Sequence, residues 1–148
     1  MDATNGRIVV GVDGSTASRH ALEWAVEEAR ARKVPLEIVH AWQMVYAVEP
    51  MAGVGAMQFT PQELGAQAEA TLDTMVEAGV PKDLGVDVTS TVAEGAAGRT
   101  LVERAADASL VVVGQHGHHP ILSKLMGSVA EYVVHHADVP VVVVPSKD

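Results

Sequence analysis

The chain has 148 residues, a net charge of −9 and no cysteine, and it is 48% apolar but only 3% aromatic. That length supports one domain, residues 1–148, with a core of valine, alanine and leucine and no self-similar second half. The acidic balance argues against a nucleic-acid backbone or an anionic membrane as partner, no apolar run approaches the ~20 residues of a membrane span, and disulfide or thiolate chemistry is excluded. The segment Met1 to Asn5 has neither the basic nor the apolar region of a signal peptide, so a cytoplasmic location is the default expectation.

Strand-like runs alternate with helix-like runs, the pattern of a parallel sheet covered by helices. Arg7 to Val12 is the first strand, stopped by Gly14-Ser15. Ser15 to Arg32 reads as a helix, with Ala21, Leu22, Ala25, Val26 and Ala29 on one stripe. Pro35 to Trp42 is the second strand. The connection from Gln43 to Phe59 is rich in Met and Gly and lacks a clear period. Connections this long are usually functional or mobile, so it is read as a flap near the site, with an insertion of no consequence as the alternative.

Thr60-Pro61-Gln62-Glu63 combines an N-cap, a proline at the first helical position and a capping-box glutamate. That helix runs to Ala78, where Gly79 and Pro81 end it. Asp87 to Ala93 alternates less cleanly and belongs near a sheet edge. Ala97 to Ala108 forms a helix with Leu101, Val102, Ala105 and Ala106 inward. Leu110 to Val113 is the most buried strand, Ser128 to Ala137 a helix, and Val139 to Val144 the last strand. Right-handed crossovers between five such strands give a doubly wound α/β sheet with helices on both faces.

Between Leu110-Val-Val-Val113 and the helix at Ser128 lies Gly-Gln-His-Gly-His-His-Pro-Ile-Leu-Ser-Lys-Leu-Met-Gly-Ser. Glycines let backbone N–H groups approach an anion closely, and a helix N-terminus adds unsatisfied donors and partial positive charge. The local physics is that of a phosphate cradle. The spacing Gly114-x2-Gly117-x9-Gly127-Ser128 resembles the signature of the ATP-binding universal stress proteins, and the resemblance extends over nearly the whole chain in its single-copy form.

The resemblance implies a Rossmann-like sheet, similar to the adenine nucleotide alpha hydrolases, with strand order 3-2-1-4-5. Ligands of such sheets bind beyond the carboxyl ends of the strands where the winding reverses. Here that is the crevice between strands one and four, so the Gly11-Val12-Asp13-Gly14-Ser15 turn and the Gly114 to Gly117 turn face each other. In this reading Asp13 touches the nucleoside through its backbone or helps hold a divalent cation by its carboxylate; the alternative is an ordinary turn residue or cap. Ser15 is a helix cap first and a phosphate neighbour second. The resemblance puts backbone groups of Ala41 at the adenine edge, and Gly127, Ser128 and Val129 at the phosphates. A competing reading makes Ser128-Val129-Ala130-Glu131 a capping box that serves only its own helix.

The histidines depart from the family pattern. Relatives often carry arginine, serine or glycine where this chain has His116, His118 and His119. His116 and His118 can hydrogen-bond phosphates, which would make phosphate affinity pH-dependent; a transition-metal site or a solvated loop are the alternatives. His135 and His136 suit the negative end of their helix. No Gly-x-Ser-x-Gly elbow, His-Glu-x-x-His or Gly-x4-Gly-Lys-Ser/Thr occurs. The expectation is therefore an adenine-nucleotide-binding regulatory protein that holds ATP with Mg²⁺ and carries no catalytic residue. A slow ATPase and a cyclic-AMP binder are the alternatives. The Val-rich run from Val139 to Val144 would lie at a sheet edge without the charges that blunt one, so a homodimer through that strand is expected.

Overall fold

The computed structural model describes residues 6–44, 59–117 and 125–146. Within them the chain forms β1 (Ile8–Gly11), α1 (Thr16–Arg32), β2 (Leu36–Trp42), α2 (Pro61–Gly79), β3 (Val88–Glu94), α3 (Ala97–Arg104), β4 (Leu110–Gly114), α4 (Ser128–His136) and β5 (Val141–Val144). The expected flap lies largely outside the described residues, as do His118 and His119.

All strand pairs are parallel, in the order β3-β2-β1-β4-β5. Alternation along each strand divides the core between the two faces. Ile8, Val10, Leu36, Ile38, Leu110 and Val112 pack beneath α1 and α2 with Leu22, Val26 and Leu72. Val9, Val39, Val111 and Val113 pack against Leu101 of α3 and Ala130 and Val133 of α4. Each fully buried Val, Leu or Ile contributes about 1.5–3 kcal/mol relative to exposure, which explains how a core with so few aromatic rings suffices. As expected, β3 is an edge strand, but the most deeply buried strand is β1 and not β4: Ile8, Val9 and Val10 are all 0% exposed, against 3% for Leu110 and 2% for Val113, because β1 is the central strand of the sheet.

Local chemistry sets the boundaries. The capping box of α2 forms in full: Glu63 N–H donates to Thr60 Oγ1 at 3.1 Å and Thr60 N–H to Glu63 Oε2 at 3.2 Å. Gly79 is still helical and serves packing, because a Cβ there would lie 2.8 Å from Leu22 Cδ2 of α1. The third helix is shorter than its apolar period predicts. It stops at Arg104 because the Arg104 carbonyl accepts Arg7 Nη2 at 2.5 Å, and Ala108 N–H turns back to Ala105. In consequence Ala105 and Ala108 are buried but Ala106 is exposed. The last strand begins at Val141, after Pro140, whose carbonyl accepts Val111 N–H at 3.0 Å.

Candidate functional site

At the carboxyl ends of β1 and β4, where the winding reverses, the sheet opens into a cavity of about 240 Å³. Every expected site residue within the described stretches lines it: Gly11, Val12, Asp13 and Ser15 from the first turn, Ala41 from β2, Gly114, His116 and Gly117 after β4, and Gly127, Ser128 and Val129 at the start of α4. His118, the remaining one, lies outside the described residues. Two segments about a hundred residues apart in sequence thus face each other.

The first turn is built from hydrogen bonds that end a strand and start a helix. Val12 N–H continues the sheet ladder to Val39 O at 2.9 Å. Gly14 takes φ +86, a left-handed conformation that glycine adopts without a Cβ penalty. Ser15 caps α1, its hydroxyl accepting Ser18 N–H at 3.2 Å. Asp13 Oδ1 accepts Ser15 N–H at 2.8 Å, so the carboxylate is held in place by its own turn. The turn and ligand-site readings of Asp13 are thereby compatible, since one oxygen orients the group and the other faces the Gly117 backbone.

The glycines of the second segment leave room for close approach. A Cβ at Gly114 would lie 2.9 Å from Ala17 O in the first turn of α1. At Gly117 it would collide with Asp13 Oδ2, and at Gly127 it would lie 3.0 Å from His116 Cα. Neither Gly117 nor Gly127 has a positive φ, so space and not conformation explains glycine there. Gly127 N–H donates to Gln115 O at 2.7 Å, closing the neck of the excursion.

The capping box that the competing reading placed at Ser128 does not form. Gly127 is the N-cap, with φ −70 and ψ 168, and its carbonyl accepts Glu131 N–H at 2.9 Å. The helix therefore begins one residue earlier than a serine cap requires, and no side chain caps it. Ser128 stands at the first helical position, lining the cavity, and the initial amides of α4 lack an internal side-chain acceptor. This is the arrangement in which a helix N-terminus takes an anion.

Asp13 is the cavity's one carboxylate and His116 its one imidazole among the described residues, with no lysine or arginine on the described lining. No group of three or more His, Cys, Asp or Glu able to hold a metal ion occurs among the described residues. His135 and His136 stay at the helix end, where His136 stacks on Tyr132 with ring centroids 4.0 Å apart. The sequence did not single out the apolar floor, made by Val39, Ala97, Leu101, Val113 and Ala130. Leu101 carried a signal in its inward stripe on α3, and it touches the site because Gly11 has no side chain: a Cβ there would lie 2.5 Å from Leu101 Cδ1. Ser18 and His40 were missed as well. Ser18 carried a faint signal as the partner of the Ser15 cap three residues on; His40 carried none beyond being polar on an apolar strand.

The universal stress protein family model matches residues 4–145. The chain belongs to that family. A universal stress protein of Mycobacterium tuberculosis is 37% identical over 143 residues, which covers 96% of this chain and 46% of that protein. The chain thus spans about half the length of the curated relatives it matches. A universal stress protein crystallised in complex with cAMP is 28% identical with a TM-score of 0.70, over 97% of this chain and 99% of that one. One from Archaeoglobus fulgidus in complex with dAMP is 26% identical with a TM-score of 0.66, over 95% and 98%. Among the described residues no helix is long and apolar enough to cross a membrane.

Proposed function

We propose that this protein binds an adenine nucleotide in the cavity between the Asp13 turn and the N-terminus of α4, and acts as a stress-response regulator whose conformation or partners change with the bound nucleotide. The observation that carries the reading is the uncapped start of α4, with Ser128 unused by its own helix and facing the Asp13 turn. Related proteins crystallised with cAMP and dAMP support an adenine ligand. The apolar floor of Val39, Leu101 and Val113 suits a base and sugar, while Gly117, Gly127, Ser128 and Val129 suit phosphates. Ala41 would serve the base through its backbone.

ATP with Mg²⁺ is the ligand we favour. Mg²⁺ is commonly held by one or two carboxylates together with substrate phosphates, and the single carboxylate of Asp13 fits that requirement. Bound there, the ion would neutralise phosphate charge on a lining that, among the described residues, has no lysine or arginine. Asp13 holds its carboxylate on Ser15 N–H, His116 offers an imidazole donor, and the α4 amides would donate to phosphate oxygens, which act as an external cap. Cyclic AMP is the second reading, favoured by the relative that carries it. Mass spectrometry of the nucleotide that co-purifies, followed by calorimetric titration with ATP, ATP and Mg²⁺, and cyclic AMP, separates them. Tighter binding of ATP with Mg²⁺ than of cyclic AMP is expected; no heat from any of the three overturns the proposal.

The proposal extends to a homodimer through β5. Its four valines are half-buried in the single chain. Pro140 O and Val144 O accept from β4, so by alternation the groups of Val141 and Val143 point to the free edge. Light scattering at micromolar concentration should return twice the chain mass, and a monomer there ends the edge argument.

A further inference from the structure

The Val12–Asp13 peptide is held at both ends by side chains from two different elements. Its carbonyl, Val12 O, lies 2.9 Å from Nδ1 of His40 on β2. A carbonyl only accepts, so Nδ1 carries the proton and the neutral ring is fixed as that tautomer. Its amide, Asp13 N–H, donates to Ser18 Oγ of α1 at 3.1 Å. The same hydroxyl donates to Ser15 O at 3.1 Å, which orients its lone pair towards Asp13. Ser18 is buried, and His40 is part-buried.

A peptide unit is planar and rigid. Holding its oxygen from one side and its hydrogen from the other fixes the ψ of Val12 and the φ of Asp13 together. Those two angles set the direction in which the Asp13 side chain leaves the backbone. Three further bonds complete the turn: Val12 N–H to Val39 O, Asp13 Oδ1 from Ser15 N–H, and Ser15 Oγ from Ser18 N–H. Val12 O and Asp13 N–H are thereby already occupied. The Asp13 amide is thus turned to Ser18, whereas its carboxylate lines the cavity.

We infer that His40 and Ser18 are positioning residues that aim the Asp13 carboxylate into the nucleotide cavity. His40 does not line the cavity; Ser18 does, but its hydroxyl is engaged by Asp13 N–H and Ser15 O, so both act through the peptide between them. The inference rests on the proposed nucleotide site and names what keeps that site in its binding form. Removing one such hydrogen bond from a preorganised turn should weaken binding by about three- to tenfold.

His40→Phe keeps a ring and loses the donor. His40→Asn keeps a donor nitrogen at the same distance from the backbone as Nδ1. Calorimetric titration of wild type, His40→Phe, His40→Asn and Ser18→Ala with ATP and Mg²⁺ is the test, alongside thermal melts of each. The expected result is about three- to tenfold weaker binding for His40→Phe and Ser18→Ala, and affinity within about twofold of wild type for His40→Asn. Wild-type binding with full affinity in both His40→Phe and Ser18→Ala overturns the inference and leaves the nucleotide site standing. No binding by the wild type removes both. Should His40→Phe fail to fold, ¹⁵N spectra of wild-type imidazoles decide: His40 must carry its neutral-form proton on Nδ1, and a proton on Nε2 alone overturns the clamp.

Discussion

At the amino ends of β1, β2 and β3 the sheet is closed with charge, whereas at the carboxyl ends of β1 and β4 it is left open with glycine. Glu37, on β2, has a side chain only 6% exposed and sits under two guanidinium groups. Arg7 Nε donates to its Oε1 at 3.1 Å, Arg104 Nε to its Oε2 at 2.6 Å and Thr91 Oγ1 to the same oxygen at 3.0 Å. Arg7 then reaches the Arg104 carbonyl and Asp107. Four elements or their flanks are tied at one buried carboxylate. Among the described residues the opposite end has small residues, a helix start without a side-chain cap and one oriented carboxylate. One end uses strong side-chain bonds to make a single structure, and the other withholds side chains so that a ligand can complete it.

The comparison predicts that damage at the two ends reads out differently. Glu37→Ala should give the largest effect, a loss of about 3 kcal/mol of unfolding free energy, because it leaves Arg7 facing a buried site without its anion. The partial exposure of Arg104, 41% at the side chain, keeps the figure at the low end of that range. Urea unfolding measures it. A loss below about 1 kcal/mol would mean that the network is ordinary surface charge. Nucleotide affinity of the folded fraction should stay within about twofold of wild type, since the cavity is at the other end of the strands.

At the open end the order reverses. Gly127→Ala should weaken ATP binding by about tenfold, a difference of ~1.4 kcal/mol, with little change in urea midpoint. Its Cβ meets His116 backbone at 3.0 Å and cannot be accommodated by a side-chain rotation. Gly117→Ala should do less, because the Cβ meets the end of the Asp13 side chain, which can move. Calorimetric titration of both variants tests this, and unchanged affinity in both would remove the phosphate cradle from these glycines.

The two ends also differ in how far the sequence exposes them. The open end is legible because its chemistry is local: glycines at fixed spacing, a strand stopping at Asp13-Gly14-Ser15, and a helix starting beside Gly127. Strand alternation and helix stripes fix the sheet and its two faces in the same way. The closed end is not legible. Glu37 reads only as a charge in an apolar run, and its partners lie 30 residues before it and 54 and 67 after it. The length of α3 is lost for the same reason, since Arg7 takes its last carbonyl. Ser128 shows a further limit. Gly127 and Ser128 are both good N-caps one residue apart, and tertiary contact of Gly127 with Gln115 decides between them.

The histidines test whether the open end is as poor in cations as its described lining. Imidazole changes charge between about pH 5 and 8, so a histidine that meets phosphate as imidazolium should make ATP affinity fall by a few-fold as pH rises through that range. ATP itself titrates there, so His116→Gln with His118→Gln is the reference protein. Parallel pH profiles in titrations of the two proteins would take both imidazoles out of the site.

The smallest expected effect lies at the closed end, on its exposed rim. The hydrogen bond from Arg7 to Asp107 at 3.0 Å, with the charge of the same guanidinium, holds the Asp107 carboxyl below its usual value. A carboxyl whose folded-state pKa is depressed adds stability above its unfolded pKa, about 3.9, and loses it as pH falls through the lower folded value. Asp107 is 70% exposed at its side chain, so solvent screens the pair and the contribution is small. Asp107→Asn keeps the size and the acceptor oxygen but removes the charge. Thermal melts of the two proteins should therefore differ by a small gap favouring wild type near neutral pH, and that gap should narrow as pH drops below about 4. A gap that stays constant down to about pH 3 would mean that Asp107 acts through shape and not charge, and would leave Arg7 anchored by Glu37 and the Arg104 carbonyl alone.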